Sequence, residues 1–158
     1  MSDARFEDGD EGPLRVIARA AEDVPVMSAL LQDAVFPITE MRFDRKPRRF
    51  AILLNRFRWE DRNAAEAAKR PYERVRCLLV VEDVLRVRTS GIERSDANLV
   101  LSILEVTFAP GEDGTGTLTL VLAGDGAIAL DVETLEVRAE DVTKPYIAPS
   151  RRVPDHGV

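Results

Sequence analysis

The sequence contains little of the chemistry that most enzymes use, since only one of its 158 residues is a cysteine and only one a histidine. A Ser–His–Asp triad needs an imidazole held firmly between the nucleophile and the carboxylate. The single histidine, His156, lies close to the C-terminal end of the sequence, where we do not expect it to be held in this way. The usual zinc sites also draw their ligands from histidine and cysteine. We therefore predict no catalytic residue, no metal site and no cofactor, and we favour a protein that is not an enzyme while leaving an enzyme activity open.

The single cysteine is predicted to be a core residue. Cys77 lies in the segment RVRCLLVVED, where it alternates with Val75, Leu79 and Val81. A reactive thiol needs a partly exposed and electropositive setting, so Cys77 is not assigned as a nucleophile. One cysteine cannot form a disulfide within the chain, which agrees with a reducing, cytoplasmic compartment.

Long apolar runs are also missing. No run approaches the roughly 18 residues that a transmembrane helix needs, and the acidic start MSDARFEDGDEG lacks the regions of a secretory signal. We therefore expect a cytoplasmic protein that does not contact membranes. The composition, 45% hydrophobic and 32% charged, is typical of a globular domain. The predicted organisation is a disordered acidic tail over 1–12, a single β-rich domain over 13–142 and a loosely ordered tail over 143–158.

Alternating hydrophobic residues predict a mainly β fold of about seven antiparallel strands, arranged as a β-barrel or a sandwich. The alternation lies in PLRVIARA, in EMRF and RRFAILLNRFRW around the turn DRKP, in NLVLSILEVTF, and in TLTLVLAGDGAIALDVE. The segment ERVRCLLVVEDVLRVRTSGI is long enough for two strands with a bend at Glu82 and Asp83, or for one bent strand. In the fourth segment the alternation continues on both sides of Asp125 and Gly126, which predicts a tight hairpin.

One amphipathic helix of about ten residues is predicted near the N-terminus, covering the open side of the sheet. Asp23 can cap this helix, and Pro25 is tolerated in its first turn. Segment 60–71, rich in alanine and charge, is either a short helical turn or a loop. The apolar stripe of the N-terminal helix consists of Met27, Leu30, Leu31 and Ala34.

The segment from Arg42 to Arg76 is strongly basic. It contains twelve basic and five acidic residues, a formal charge of +7, whereas the whole chain has a charge of −6. Strand alternation directs Phe57 and Trp59 into the core and their neighbouring arginines to solvent, so no aromatic platform for nucleic-acid bases is expected. Three interpretations stay open: a solvated hairpin, a nucleic-acid surface, and a contact with an acidic protein surface, including that of a second copy.

The main hypothesis is a non-enzymatic interaction domain that binds a protein partner or associates with itself as a homodimer. Nucleic-acid binding through hairpin 42–58 is the alternative. In both cases the predicted binding residues are Arg45, Lys46, Arg48, Arg49, Arg56 and Arg58.

The loop GIERSD, residues 91–96, is a second candidate site, for a small ligand or for an enzyme reaction. Its polar groups lie between two strands, where ligand sites are commoner than in strand interiors. The competing interpretation is turn formation by Gly91, Ser95 and Asp96. The candidate ligand residues are Glu93, Arg94, Ser95 and Asp96.

Several motifs lie within residues 14–141, which is nearly the whole predicted domain. They are LLQDAV (30–35), RRFAILLNRFRWE (48–60), SGIERSD (90–96), VLSILEVTFAPGE (100–112) and GAIALDVE (126–133). Together they resemble a family of uncharacterised bacterial proteins described only as a domain of unknown function, and the resemblance extends over residues 14–141. The resemblance implies membership but no activity, cofactor or site residue.

Overall fold

The computed structural model describes residues 13–147, which form a mainly β fold with two α-helices. The predicted acidic tail 1–12 lies outside the described residues, as does segment 148–158 of the predicted C-terminal tail. The helices are α1 (Val24–Leu31) and α2 (Arg62–Ala67). The strands are β1 (Arg15–Ala18), β2 (Val35–Pro37), β3 (Met41–Asp44), β4 (Arg49–Phe57), β5 (Glu73–Val81), β6 (Val84–Ser90), β7 (Val100–Pro110), β8 (Gly116–Leu122), β9 (Ala127–Val132), β10 (Val137–Asp141) and β11 (Tyr146–Ile147).

All eleven described strands belong to one antiparallel sheet, in the order β1-β10-β5-β4-β2-β7-β8-β9-β6. In addition, β3 pairs with β4, and β11 pairs with β5. The prediction of a mainly β, antiparallel fold is confirmed, but the sheet is not closed and about seven strands was too few. The three strands missed are β2, β10 and β11. Strands β2 and β11, of three and two residues, are too short to produce a clear alternation, and β10, with the sequence VRAED, has polar residues at three of its five positions.

Strand β2 joins the two halves of the sheet although it is only three residues long. Val35 pairs with Asn55 of β4 on one side and with Ser102 of β7 on the other. Strands β1, β10, β5, β4 and β3 form one half, and β7, β8, β9 and β6 the other. The apolar core lies between the halves.

The predicted amphipathic helix is confirmed as α1, whose buried residues include Met27, Leu30 and Leu31. Asp23 does not cap α1, because a 3-10 turn over 21–23 precedes the helix. Its carboxylate accepts hydrogen bonds from the backbone N–H groups of Arg19 and Ala20, both at 3.1 Å, and so caps that turn instead. The helix packs mainly on β7.

The predicted hairpin between β8 and β9 is confirmed, but its turn is centred one residue earlier than predicted. Gly124 and Asp125 have φ values of +80° and +68°, which tight hairpin turns require at two consecutive positions. The bend after β5 is also confirmed at Glu82 and Asp83, and it separates β5 from β6. The predicted hairpin of β3 and β4 has its turn at 45–48.

Segment 60–71, for which the sequence left helix and loop open, contains a helix. A 3-10 turn over 59–61 leads directly into α2. No helix in the described part of the chain is long and apolar enough to cross a membrane. Cys77 is fully buried in the core, and this burial raises the pKa of its thiol to about 12.

Candidate functional site

A groove of about 450 Å³ lies between β3 and β6. Within residues 13–147, each of these strands pairs with another strand on one edge only: β3 with β4, and β6 with β9. Their unpaired edges therefore border the same space. We call this space the cationic groove, because four of its lining residues are Arg45, Arg48, Arg86 and Arg94.

The edges of the cationic groove are positioned by two turns: the 45–48 turn before β4, and the bend at Glu82 and Asp83 before β6. The 45–48 turn ends at Arg48, whose carbonyl accepts a hydrogen bond from the N–H of Val84 at 2.8 Å. This contact joins the start of β4 to the start of β6. No backbone pairing between β3 and β6 is found in the described residues, so the two edges stay apart beyond this junction.

The walls of the cationic groove are apolar. Phe43 pairs with the buried Phe50, and Val87 pairs with the buried Leu130, so Phe43 and Val87 lie on the inner face of the sheet. Even so, both are only half-buried, since no strand lies between them. The apolar lining residues are Met41, Phe43, Phe50, Val84, Leu85 and Val87, of which Leu85 is 52% exposed.

No carboxylate of the described residues lines the cationic groove. Two of the four arginines form ion pairs with carboxylates outside the groove lining: Arg48 with Glu133 at 2.6 Å, and Arg86 with Asp131 at 3.1 Å. Arg45 and Arg94 have no ion-pair partner among residues 13–147. The groove therefore combines a positive rim with apolar walls, which suits an anionic ligand that also has apolar groups.

Asp131 organises the outer face of β6. Its carboxylate accepts hydrogen bonds from Arg88 at 2.7 Å, from Thr117 at 2.9 Å and from Arg86 at 3.1 Å. The hydrogen bond from Arg88 is the main cause that lowers the pKa of Asp131 to about 2. Asp131 is therefore ionised at neutral pH and holds both arginines against β9.

Four of the six predicted binding residues are found on or beside the 45–48 turn. Arg45 and Arg48 line the cationic groove. Lys46 is exposed on the same turn but does not line it. Arg49 is directed to the other side, where its Nε lies 3.1 Å from both oxygens of Glu82. The turn thus supplies two groove residues and one further cation, Lys46, that forms no ion pair within residues 13–147.

The expectation that Arg56 and Arg58 point to solvent is wrong. Their side chains are 0% and 4% exposed. Arg56 follows Phe50, Ile52 and Leu54 on the buried face of β4 and lies between two carboxylates. It donates to Glu60 at 2.9 and 2.7 Å and to Asp141 at 3.0 and 2.9 Å. Both arginines are therefore structural residues, and they cannot meet a partner while the domain is folded.

Burial disfavours the charge of Arg56, but hydrogen bonds to Glu60 and Asp141 more than offset this and raise its pKa. Arg58 lies beside Glu73 and within 3.6 Å of Asp61. Each charge in this cluster of Arg56, Arg58 and four carboxylates lies beside at least one opposite charge, as buried charges require.

A neighbouring pair extends the cluster across α2, because Asp61, directly before the helix, is also held by Arg70, which follows it, through two hydrogen bonds of 2.6 and 2.7 Å. These hydrogen bonds lower the pKa of Asp61. Since β4, the 59–61 turn, β5 and β10 all contribute, the cluster ties together one end of the domain.

The aromatic residues of the basic segment pack against one another. Phe57 is buried, and its ring contacts Trp59 edge-to-face at 4.6 Å between centroids. The indole N–H of Trp59 donates to the carbonyl of Gln32 at 2.9 Å. These two rings therefore belong to the fold and do not form a stacking surface for bases.

Loop 91–96 contributes one residue, Arg94, to the cationic groove. Its polar neighbours stabilise turns: the Ser95 hydroxyl donates to Glu93 at 2.7 Å, and Asp96 accepts from the N–H of Asn98 at 3.0 Å. The hydrogen bonds from Ser95 lower the pKa of Glu93, the opposite of the shift expected for a carboxyl group that must hold a proton at neutral pH. Glu93, Ser95 and Asp96 thus shape the loop that presents Arg94.

The structure brings the two predicted sites together, which the sequence did not indicate. Arg45 and Arg94 are 49 positions apart and line one groove because β3 and β6 lie at its two sides. Sequence reasoning missed Arg86 and the apolar walls of Met41, Phe43 and Leu85. A usable signal was the segment VLRVRTS, in which Leu85 interrupts the alternation and is left exposed at a register shift.

In the described part of the chain, no three side chains of His, Cys, Asp or Glu are placed to hold a metal ion. The family model "Protein of unknown function (DUF2948)" matches residues 14–156. The chain belongs to this family. The match covers every described strand and every residue of the cationic groove, so the groove is part of the DUF2948 domain. No curated protein and no solved structure is significantly similar to the chain.

Proposed function

We propose that this DUF2948 domain is a non-enzymatic binding module that engages an acidic partner protein through the cationic groove. The observation that carries the proposal is the pairing of four arginines with half-buried apolar side chains between two unpaired strand edges. Positive charge steers an acidic partner and selects against basic ones, while apolar walls give the contact its affinity.

Two groove arginines are suited to recognition, because no ion pair within the described chain competes for them. Arg45 comes from the turn before β4, and Arg94 from the loop after β6. Guanidinium groups bind carboxylates through two parallel hydrogen bonds, so both sides of the groove can hold an acidic side chain. We place this activity in the cytoplasm, where the unpaired, buried Cys77 would stay reduced.

The test compares the wild-type protein with two charge-reversal variants as baits for affinity capture from lysate of the source cell, with nuclease present. The groove variant is Arg45→Glu with Arg94→Glu. The control variant is Arg76→Glu, since Arg76 is also exposed and without an ion pair in the described chain but lies on β5, away from the groove. We expect a captured protein to be lost with the groove variant and kept with the control.

Two further readouts separate the alternatives. If nucleic acid copurifies when nuclease is omitted, and if its affinity falls steeply as salt rises, the nucleic-acid interpretation would be supported instead of a protein partner. Light scattering gives the mass of the purified chain. A dimer that the groove variant converts to a monomer would make a second copy of the chain the partner.

A further inference from the structure

The unpaired edges of β3 and β6 differ from the part of β7 that extends beyond its three-residue pairing with β2. On β7, helix α1 covers the edge next to a register shift, and the hydroxyl of Ser28 accepts a hydrogen bond from the N–H of Val106 at 2.8 Å. Proteins commonly protect edges with such covers, because an open row of N–H and C=O groups pairs with any available strand. Apart from the hydrogen bond from the N–H of Val84 to the carbonyl of Arg48, neither β3 nor β6 pairs with an element of the described chain on its groove side.

The burial of side chains on the inner faces of β3 and β6 is also incomplete. Met41 and Phe43 of β3 lie on the same side of the sheet as the buried Ile52 and Phe50, which are their partners in register. On β6, Val87 and Thr89 lie opposite the buried Leu130 and Ile128. All four edge residues are half-buried and line the groove. A strand placed between the edges would complete the burial of these four side chains.

We propose that the cationic groove binds an extended acidic segment of a partner protein as an added β-strand between β3 and β6. This proposal rests on the proposed function and specifies how the partner is held. The backbone of the segment pairs with both edges and its side chains alternate between the two faces of the sheet. The side chains on the inner face meet Phe43 and Val87, and those on the outer face meet the arginines.

The fitting segment is therefore one in which apolar residues alternate with aspartate or glutamate. Inner-face positions require apolar side chains, because the groove walls continue the hydrophobic core. Outer positions require negative charge, since two arginines of the rim, Arg45 and Arg94, have no ion-pair partner among residues 13–147. Like charges directly opposite each other oppose strand pairing. The arginine-bearing edges of two copies therefore do not pair, which favours an acidic partner over self-association through this edge.

The experiment uses a synthetic peptide of about six residues, a common strand length, in which valine alternates with glutamate. Its affinity for the whole protein is measured by calorimetry, beside a peptide with lysine in place of glutamate. A second series carries one N-methyl group at each backbone nitrogen in turn. In a strand, successive N–H groups point to opposite sides, so a peptide bound between two edges uses all of them.

We expect the glutamate peptide to bind, the lysine peptide not to bind, and each N-methyl group to weaken binding by about fivefold, the effect of one lost hydrogen bond. Weakening at alternate positions only would show pairing with one edge and overturn insertion between two. No weakening at any position, with binding that still depends on Arg45 and Arg94, would overturn strand addition and leave the proposed function intact.

Absence of binding by the glutamate peptide, together with the same captured partners for wild type and groove variant, would overturn both proposals. Amide hydrogen exchange gives an independent readout on the protein itself. Bound peptide should slow exchange at amides of β3 and β6, and should leave amides of β7, such as that of Thr107, unchanged. Slowed exchange at other amides, with no change at the amides of β3 and β6, would contradict strand addition.

Discussion

At the scale of single residues, Arg45 and Arg56 show that one residue type serves two purposes within one segment. Both lie in the same basic stretch, yet Arg45 is exposed and Arg56 is 0% exposed. The difference lies in their partners, since Glu60 and Asp141 neutralise Arg56 inside the fold. Asp141 is 85 positions away, so no local pattern in the sequence identifies it as the partner.

Replacing Arg56 should destabilise the fold, and replacing Arg45 should not. Arg56→Gln leaves Asp141 buried without its cation and leaves Glu60 to Arg58, 3.7 Å away, so we expect a loss of about 3 kcal/mol in the free energy of unfolding. Arg45→Gln, the matched control on the exposed turn, should change it by less than about 0.5 kcal/mol. Urea denaturation of both variants measures the difference. Equal stabilities would contradict the structural role of Arg56.

Asp131 should make stability depend on pH in the acidic range. Its pKa is lowered to about 2 in the folded protein, so its contribution is fully present above the unfolded value of about 3.9 and is lost as pH falls towards 2. Because solvent screens this partly exposed pair, we expect Asp131→Asn to cost about 1 kcal/mol at pH 7. The difference from wild type should disappear near pH 2. A loss of the same size at both pH values would show that the charge of Asp131 is not responsible.

Cys77 should not react with thiol reagents in the folded protein. Burial raises the pKa of its thiol to about 12, so hardly any thiolate is present at neutral pH and the reagent has no access. We expect labelling by a chromogenic disulfide reagent only after denaturant unfolds the domain. Rapid labelling under native conditions would contradict the burial of Cys77 and its assignment as a core residue.

At the scale of elements, the sequence predicts long strands well and short ones poorly. The alternation of Leu118, Leu120 and Leu122 was sufficient to predict β8, since period-two patterns over several residues are distinctive. Strand β2 has three residues and is defined by its pairing with β4 and β7. Such a strand depends on contacts from distant parts of the chain, which single-sequence patterns do not contain.

The loop that presents Arg94 depends on Gly91. Gly91 has a φ of +67°, and a Cβ atom at this position would lie 2.7 Å from the carbonyl oxygen of Asp125. We expect Gly91→Ala to lower the free energy of unfolding by about 1–3 kcal/mol. Gly114 is the matched control, because its φ is +82° but nothing lies within 4 Å of its Cβ position, so Gly114→Ala should cost less. An equal loss in the free energy of unfolding for both variants would show that the positive φ alone causes the loss and that the contact with Asp125 does not contribute.

At the scale of the whole molecule, the sheet stays open where β3 and β6 border the cationic groove. The sequence located two parts of this site, the basic turn with Arg45 and Arg48 and the loop with Arg94. It did not reveal that they meet, because their proximity follows from the order of strands in the sheet. The apolar walls were missed because Phe43 and Val87 have the pattern of ordinary core residues, and only the missing neighbour strand leaves them half-buried.

The cationic groove is tested most directly as the binding site by a nuclear magnetic resonance titration of the whole protein with the valine–glutamate peptide. We predict shifted amide signals in β3, in β6, in the 45–48 turn and at Arg94, and the same shifts for Arg76→Glu. The variant Arg45→Glu with Arg94→Glu should show none while keeping the dispersed spectrum of a folded domain. Shifts that persist in this variant, or that map to a surface away from β3 and β6, would contradict the assignment of the cationic groove as the binding site.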